Sequence, residues 1–420
     1  MNRQYTTVIH FKQSALPTPQ TSFSSALKSN TRRKQRKICC FQTSDNRQQK
    51  FPHKPYKYHL PSSNPRTRTR HHSLQNPNRH HFQFPHCERK WDFMTSKTRV
   101  LVVGGTGYLG QHLLQGFSQI EGKGITSTTP FDLAFTHHSN PPPQALLDAF
   151  PHLLPFQVDL KTGHGFQAIS QTFGRPDVVI NCAALSVPRA CEMDPAAALS
   201  VNVPSSLVNW LSSFEESSSL LIHLSTDQVY EGVKSFYKED DETAPVNVYG
   251  KSKVTAEQFI SEKCSNFAIL RSSIIFGPQT ISPVPKSLPI QWIDGVLSKG
   301  KMSEFFHDEF RCPVYVKDVV AVILALSKRW IYESKQTKVL LNVGGPDRVS
   351  RLQMAEIVAD VRGYNPSLIK SVSASSVDRG VMSPADISMD ITKLVRTLGI
   401  APTSFRDGVR LTLETEAKSS

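Results

Sequence analysis

The sequence predicts an α/β fold, a doubly wound parallel sheet with a smaller C-terminal substrate-binding lobe, preceded by a disordered basic tail. Three observations carry this expectation. An apolar run, Val100-Leu101-Val102-Val103, passes directly into glycines at 104, 107 and 110 and then into an amphipathic stretch. From residue 99 short apolar strands alternate with helical stretches, the order that a parallel sheet with crossover helices requires. The excess charge lies before residue 94: the first 93 residues hold 18 of the 49 Lys and Arg but only three of the 35 acids (Asp45, Glu88, Asp92), which leaves 31 basic against 32 acidic residues, a net of −1, in the remainder.

Residues 1–93 are rich in Gln, Asn, Ser, Pro, Arg and His and keep no helical or strand period, the composition of a chain that cannot bury a core. Four readings of this tail stand side by side. The basic clusters 32–37 and 66–70 fit nucleic-acid binding or a nuclear signal. The acid-free, Ser/Thr-rich first 30 residues fit a transit peptide, which would place the protein in a plastid or mitochondrion. Met94, directly before the first strand, fits a translation start and a cytoplasmic protein. A plain solvated extension is the fourth. The near-neutral remainder gives no support for nucleic-acid binding by the folded part. Seven scattered cysteines form no C-x-x-C and no metal spacing, and four free thiols in the folded part fit a reducing compartment. No apolar run approaches the ~18 residues of a membrane span.

Strands are expected at 99–103, 132–137, 154–158, 177–182, 219–225 and 267–271, and helices at 108–119, 144–150, 165–174, 194–213 and 246–263. Asp194-Pro195 reads as an N-cap followed by a first-turn proline. After Gly277 the alternation weakens: 281–289 is proline-rich and loop-like, and helices follow at 289–299, 316–329 and 350–362, the last opened by Ser350. The expected division is therefore 94–277 for a nucleotide-binding domain and 278–420 for the lobe, with some exchange of chain between them and a cleft at their junction.

Three stretches carry chemistry. Gly104-Gly105-Thr106-Gly107-Tyr108-Leu109-Gly110 follows a strand and opens a helix, the context in which backbone N–H groups at a helix start receive a pyrophosphate; an ordinary structural turn is the alternative. Tyr249 and Lys253 stand four apart, on one helix face, where an ammonium lowers a phenol's pKa from ~10 and readies it for proton transfer; a surface contact is the alternative. Ser225-Thr226-Asp227 ends an apolar strand at the edge where open α/β sheets bind ligands, so a hydroxyl there can polarise a carbonyl; a simple turn is the alternative.

In this order and spacing the three stretches resemble the extended short-chain dehydrogenase/reductase family, over residues 98 to about 415. Val158-Asp159-Leu160, Asn181-Cys182-Ala183-Ala184, Val201-Asn202-Val203 and Leu270-Arg271 agree with it. Within the family the similarity is to the group of dTDP-4-dehydrorhamnose reductase and the methionine adenosyltransferase beta regulatory subunit, carried by 225–232 and 237–253, which both share, while 311–319 resembles the regulatory subunit more closely. The resemblance implies a Rossmann-type domain. It implies Thr226, Tyr249 and Lys253 as catalytic residues, with Asn202 positioning Lys253 and a water. Gly104, Thr106, Gly107, Tyr108, Leu109, Gly110, His137, His138, Asp159, Leu160, Cys182, Ala183 and Ala184, with Tyr249 and Lys253, would bind the cofactor, and Asp227, Gln228 and Arg311 would meet a nucleotide-sugar or similar keto substrate. Two departures bear on function. Gln228 stands where the reductases usually carry Tyr, and the second strand ends Thr136-His137-His138-Ser139 without the acid that would repel a 2′-phosphate. The second permits NADP(H), with NAD(H) the alternative. The implied activities are reduction of a 4-keto-6-deoxy sugar nucleotide or, alternatively, regulation of a methionine adenosyltransferase catalytic subunit as its partner.

Overall fold

A computed structural model describes residues 97–120, 131–214, 219–333 and 336–417. All readings of the N-terminal tail lie outside these residues. Six strands, β1 (Thr98–Val103), β2 (Phe131–His137), β3 (Leu154–Gln157), β4 (Val178–Asn181), β5 (Leu220–Thr226) and β6 (Phe267–Ser272), fall within a residue or two of expectation. Together with Lys338–Val343 they form one seven-stranded sheet in which every pair is parallel, in the order Lys338–Val343, β6, β5, β4, β1, β2, β3. The chain winds outward from β1 in one direction and from β4 in the other, so the order reverses between them.

Seven helices cross over: α1 (Tyr108–Ser118), α2 (Gln144–Ala149), α3 (Phe166–Thr172), α4 (Pro188–Met193), α5 (Pro195–Asn202), α6 (Ser205–Ser212) and α7 (Val248–Lys263). Alternate residues of the central strand feed the two cores: Val100 and Val102 pack with α1 and helix Val316–Glu333, while Leu101 and Val103 pack with α3, α6 and α7. Both faces of the central strands are thus buried, which is why those strands are mostly apolar, while the edge strand β3 is largely exposed.

The helix expected over 194–213 is two helices. Pro204 forces Val203 out of the helical region, to φ −84°, ψ 111°, and the chain bends between α5 and α6. Asp194 caps α5 as expected, accepting from Ala197 N–H at 2.9 Å. α4 was not anticipated, nor were the helices Thr392–Leu398 and Phe405–Ala417. Ser350 forms a full capping box with Gln353 on helix Arg351–Arg362, which packs with Pro289–Leu297 and Phe405–Ala417 around a separate apolar cluster. Between Pro289–Leu297 and Arg351–Arg362 the chain returns at Lys338–Val343 to pair with β6. Among the described residues no helix is long and apolar enough to cross a membrane.

Candidate active site

The candidate site lies at the C-terminal ends of β1 and β4, where Val103 pairs with Asn181 and the strand order reverses. Beyond them Gly104 adopts φ +82°, and a Cβ on it would lie 3.0 Å from Ala183 N. A Cβ on Gly110 would sit 2.3 Å from Gly104 O, so the loop folds tightly over the start of α1. Gly107 N-caps that helix without any side-chain bond, which leaves its first N–H groups to a ligand. Of the other loop residues, Tyr108 donates its hydroxyl to Pro278 O at 3.1 Å, Thr106 O accepts from Gln111 Nε2, and the Leu109 side chain belongs to the core, so Leu109 offers only its backbone. Two residues not named among the expected cofactor-binding residues shape this loop. Gly105 has Phe135 where its Cβ would be, at 2.5 Å, and Gln111 ties the loop to Ser282 through two hydrogen bonds of 2.9 and 3.0 Å.

At the end of β2, His138 and Ser139 are exposed and bonded to each other at 2.8 Å, and His138 Nε2 lies 3.9 Å from Asp159 Oδ1. His137 turns instead to Asn140 O, at 2.9 Å. Lys161 N–H and the Thr162 hydroxyl hold the Asp159 carboxyl below the usual carboxylate range, and Leu160 is buried with its carbonyl bonded to Ser206. Cys182 and Ala184 are half-buried at the end of β4 beside Ala183, and desolvation pushes the Cys182 thiol up to about 12.

Thr226, Tyr249 and Lys253 come together. α7 reaches this end of β5 because Gly250 has no Cβ, which would lie 2.2 Å from Gln228 O, and because Asn247 caps the helix by accepting from Gly250 N–H at 2.8 Å. Thr226 Oγ1 donates to Asp227 Oδ1 at 3.2 Å and accepts from Gln228 N–H at 3.3 Å, and the Thr226 side chain lies near enough to the Tyr249 phenol to act on its pKa. Burial raises the Tyr249 pKa, aided by Asp227 and Cys191 and opposed by Thr226. That reverses the sequence expectation of a lowered phenol: here Lys253 Nζ donates to Leu224 O at 2.7 Å, and desolvation outweighs any help to the phenolate. Lys253 is itself pushed down to about 8 by burial.

The remaining site residues are held by protein partners. Asn202 accepts from Leu185 N–H at 2.7 Å and donates to Leu185 O and to Ser252 Oγ, so its amide clamps the loop after β4 to α7 and reaches Lys253 only through its neighbour Ser252. Gln228 accepts from Asn247 Nδ2 at 2.9 Å. Asp227 is buried with Ser273 donating to it at 2.9 Å, and burial pushes its carboxyl up. Arg311 lies within the lobe, where its guanidinium donates to Phe310 O, Ala385 O, Pro384 O and Ser383 Oγ, stapling 383–385 beside the cleft. Below the site Arg271 and Glu257 form a buried ion pair that Ser225, Tyr230 and Asn342 complete. The sequence carried Arg271 only as part of a matching strand, and Glu257 carried no local signal beyond its place one turn after Lys253.

The profile of the RmlD substrate binding domain family matches residues 98–418. The methionine adenosyltransferase 2 subunit beta of Pongo abelii is 30% identical over 321 residues, which are 75% of this chain and 87% of that protein. Among solved structures, a dTDP-4-dehydrorhamnose reductase from Bacillus anthracis in complex with NADP superposes with a TM-score of 0.60 at 19% identity, covering 76% of this chain and 100% of that one. A hypothetical dTDP-4-dehydrorhamnose reductase from Sulfolobus tokodaii gives 0.58 at 25% identity, covering 74% and 99%.

Proposed function

The chain belongs to the RmlD substrate binding domain family, and from that premise we propose that it is an NADP(H)-dependent reductase of a 4-keto-6-deoxy sugar nucleotide. One observation carries the reading: Thr226, Tyr249 and Lys253, drawn from β5 and α7, meet in a single buried site at the same sheet edge as the glycine loop. The turn at Gly104, Gly107 and Gly110 suits a dinucleotide, because its backbone folds too tightly for a Cβ at 104 or 110 and so brings the start of α1 close to the strand end. The bound nicotinamide would supply the hydride.

The chain's own residues do the rest. The Thr226 hydroxyl turns from Asp227 Oδ1 to donate to the substrate carbonyl oxygen. Tyr249, kept protonated by its burial, gives that oxygen its proton. Lys253 is anchored on Leu224 O and offers its remaining N–H groups to the ribose hydroxyls. Asn202 and Ser252 fix the approach of α7. His138 and Ser139 offer donors to a 2′-phosphate, and β2 ends without an opposing acid, which favours NADP(H) over NAD(H).

A second reading, an NADP(H)-binding beta-type regulatory partner of a methionine adenosyltransferase catalytic subunit, is favoured by the Pongo abelii relative and by the engagement of Gln228 with Asn247 and Arg311 with 383–385. The deciding experiment is NADPH and NADH oxidation with dTDP-4-keto-6-deoxy-L-mannose generated in the assay, beside Tyr249→Phe. Turnover that the substitution abolishes supports the reductase. Bound NADPH without turnover, together with co-purification of a methionine adenosyltransferase, supports the second reading.

A further inference from the structure

His223 lies in the middle of β5, wholly buried, and the chemistry above gives it no task. Its Nδ1 is 3.2 Å from Asn181 Nδ2. The orientation of that amide is fixed, because Asn181 Oδ1 accepts from Ala183 N–H at 3.2 Å. Asn181 therefore donates, Nδ1 accepts, and the neutral ring carries its proton on Nε2. Burial and the nearby Lys253 charge both hold the ring neutral. Among the described residues Nε2 has no hydrogen-bond partner. A buried N–H donor left in this state costs as much as a lost hydrogen bond, and native proteins satisfy such groups with ordered water where the surroundings are polar.

The surroundings are polar. Lys253 Nζ sits 2.7 Å from the carbonyl of Leu224, the residue next to His223. The groups that act on Lys253 are His223 on β5, Cys182 after β4, Cys191 on α4 and Glu257 on α7, and Glu257 is already paired with Arg271. None of these is a free anion. Asn202, from which a water-holding role was expected, has its side chain committed to Leu185 and Ser252.

The geometry points to a buried water held by His223 Nε2–H and shared with the Lys253 ammonium, which makes His223 a positioning residue that hydrates the cofactor-binding lysine. Asn181 fixes the tautomer, and through Ala183 it joins this water to the strand end that borders the glycine loop. The inference rests on the proposed reading only in taking Lys253 as the group that meets the ribose.

The test uses the full chain with isotope-labelled histidine and lysine. Imidazole NMR of the parent protein is expected to show His223 protonated at Nε2 and bare at Nδ1, with a cross-relaxation peak from Nε2–H to a long-lived water. A proton on Nδ1, or no water peak, overturns the proposal. In the second arm the Lys253 Nζ resonance is titrated in the parent, His223→Gln and His223→Phe. The parent and the Gln variant, which keeps an N–H donor, are expected to share a midpoint, and the Phe variant is expected to titrate about one pH unit lower because its ammonium has lost a hydrogen-bonded water. NADPH affinity near pH 8 should then fall roughly fivefold in the Phe variant alone. Equal midpoints in the parent and Phe variants refute the proposal. Neither NMR arm needs turnover or bound cofactor, so failure of the reductase reading, which shows in the parent's assay, is distinguishable from failure of this one.

Discussion

Arg271→Met is expected to destabilise the protein by about 3–5 kcal/mol, the cost of leaving a buried charge uncompensated. The pair it breaks is tight. Arg271 Nη2 lies 2.7 Å from Glu257 Oε2, and Nε lies 3.1 and 3.2 Å from the two carboxylate oxygens. The side chains are only 6% and 7% exposed, so water cannot replace the lost partner. Methionine keeps the length and apolar stem of arginine, so the loss is electrostatic rather than a cavity. Glu257 would retain the Ser225 hydroxyl, while the Tyr230 hydroxyl would lose the Nη1 donor at 3.0 Å but keep Asn342 and Lys238 O. Urea unfolding followed by circular dichroism measures the loss, and a folded region of this size should melt about 6 °C lower. The double variant Glu257→Leu/Arg271→Met removes both charges and should recover at least half of the deficit. An Arg271→Met variant within about 1 kcal/mol of the parent, or a double variant that costs the sum of the two singles, would refute the reasoning.

Four further outcomes are expected. Gly110→Ala places a Cβ 2.3 Å from Gly104 O, so calorimetry should find NADPH binding weakened at least tenfold (about 1.4 kcal/mol), whereas affinity close to that of the parent would mean the loop does not bind the cofactor. If the reductase reading holds, Tyr249→Phe should lower kcat by roughly 10²-fold or more while the NADPH Kd changes little. Lys253 titrates at about 8, lowered by burial, so its ammonium is present below that pH and lost above it; NADPH affinity should be level at pH 6–7 and decline as pH rises through 8, and the decline should be absent in Lys253→Met. Ser139→Asp would place an acid beside His138 at the end of β2 and should shift the measured ratio of NADPH to NADH affinity toward NADH by about an order of magnitude.

Much of the fold was legible because its signals are local. The six strands of 98–272 announce themselves as apolar runs, and the punctuation at Gly104, Asp194 and Ser350 depends on residues within three or four positions. The division at Pro204 was also written in the sequence, but the apolar period on both sides masked it until the backbone of Val203 showed the break. The strand Lys338–Val343 was hidden for another reason. It belongs to the main sheet only by pairing with β6, about 70 residues earlier, and nothing in its own composition names that partner.

The site divides the same way. Residue type, order and spacing at Gly104–Gly110, Thr226, Tyr249 and Lys253 mark out a nucleotide loop and a proton donor with its lysine, because each of these chemistries needs groups at short, fixed separations along one turn or one helix face. Tertiary structure alone decided what the polar side chains hold. Arg311 meets the carbonyls of 384 and 385, Asn202 meets Leu185 and Ser252, and the Tyr249 phenol is raised rather than lowered. Hydrogen-bond partners and desolvation depend on which distant segments are packed together. A sequence displays the donors and acceptors it owns, while the partner each one finds, and the water each one loses, are fixed only when the sheet closes and the lobe packs against it.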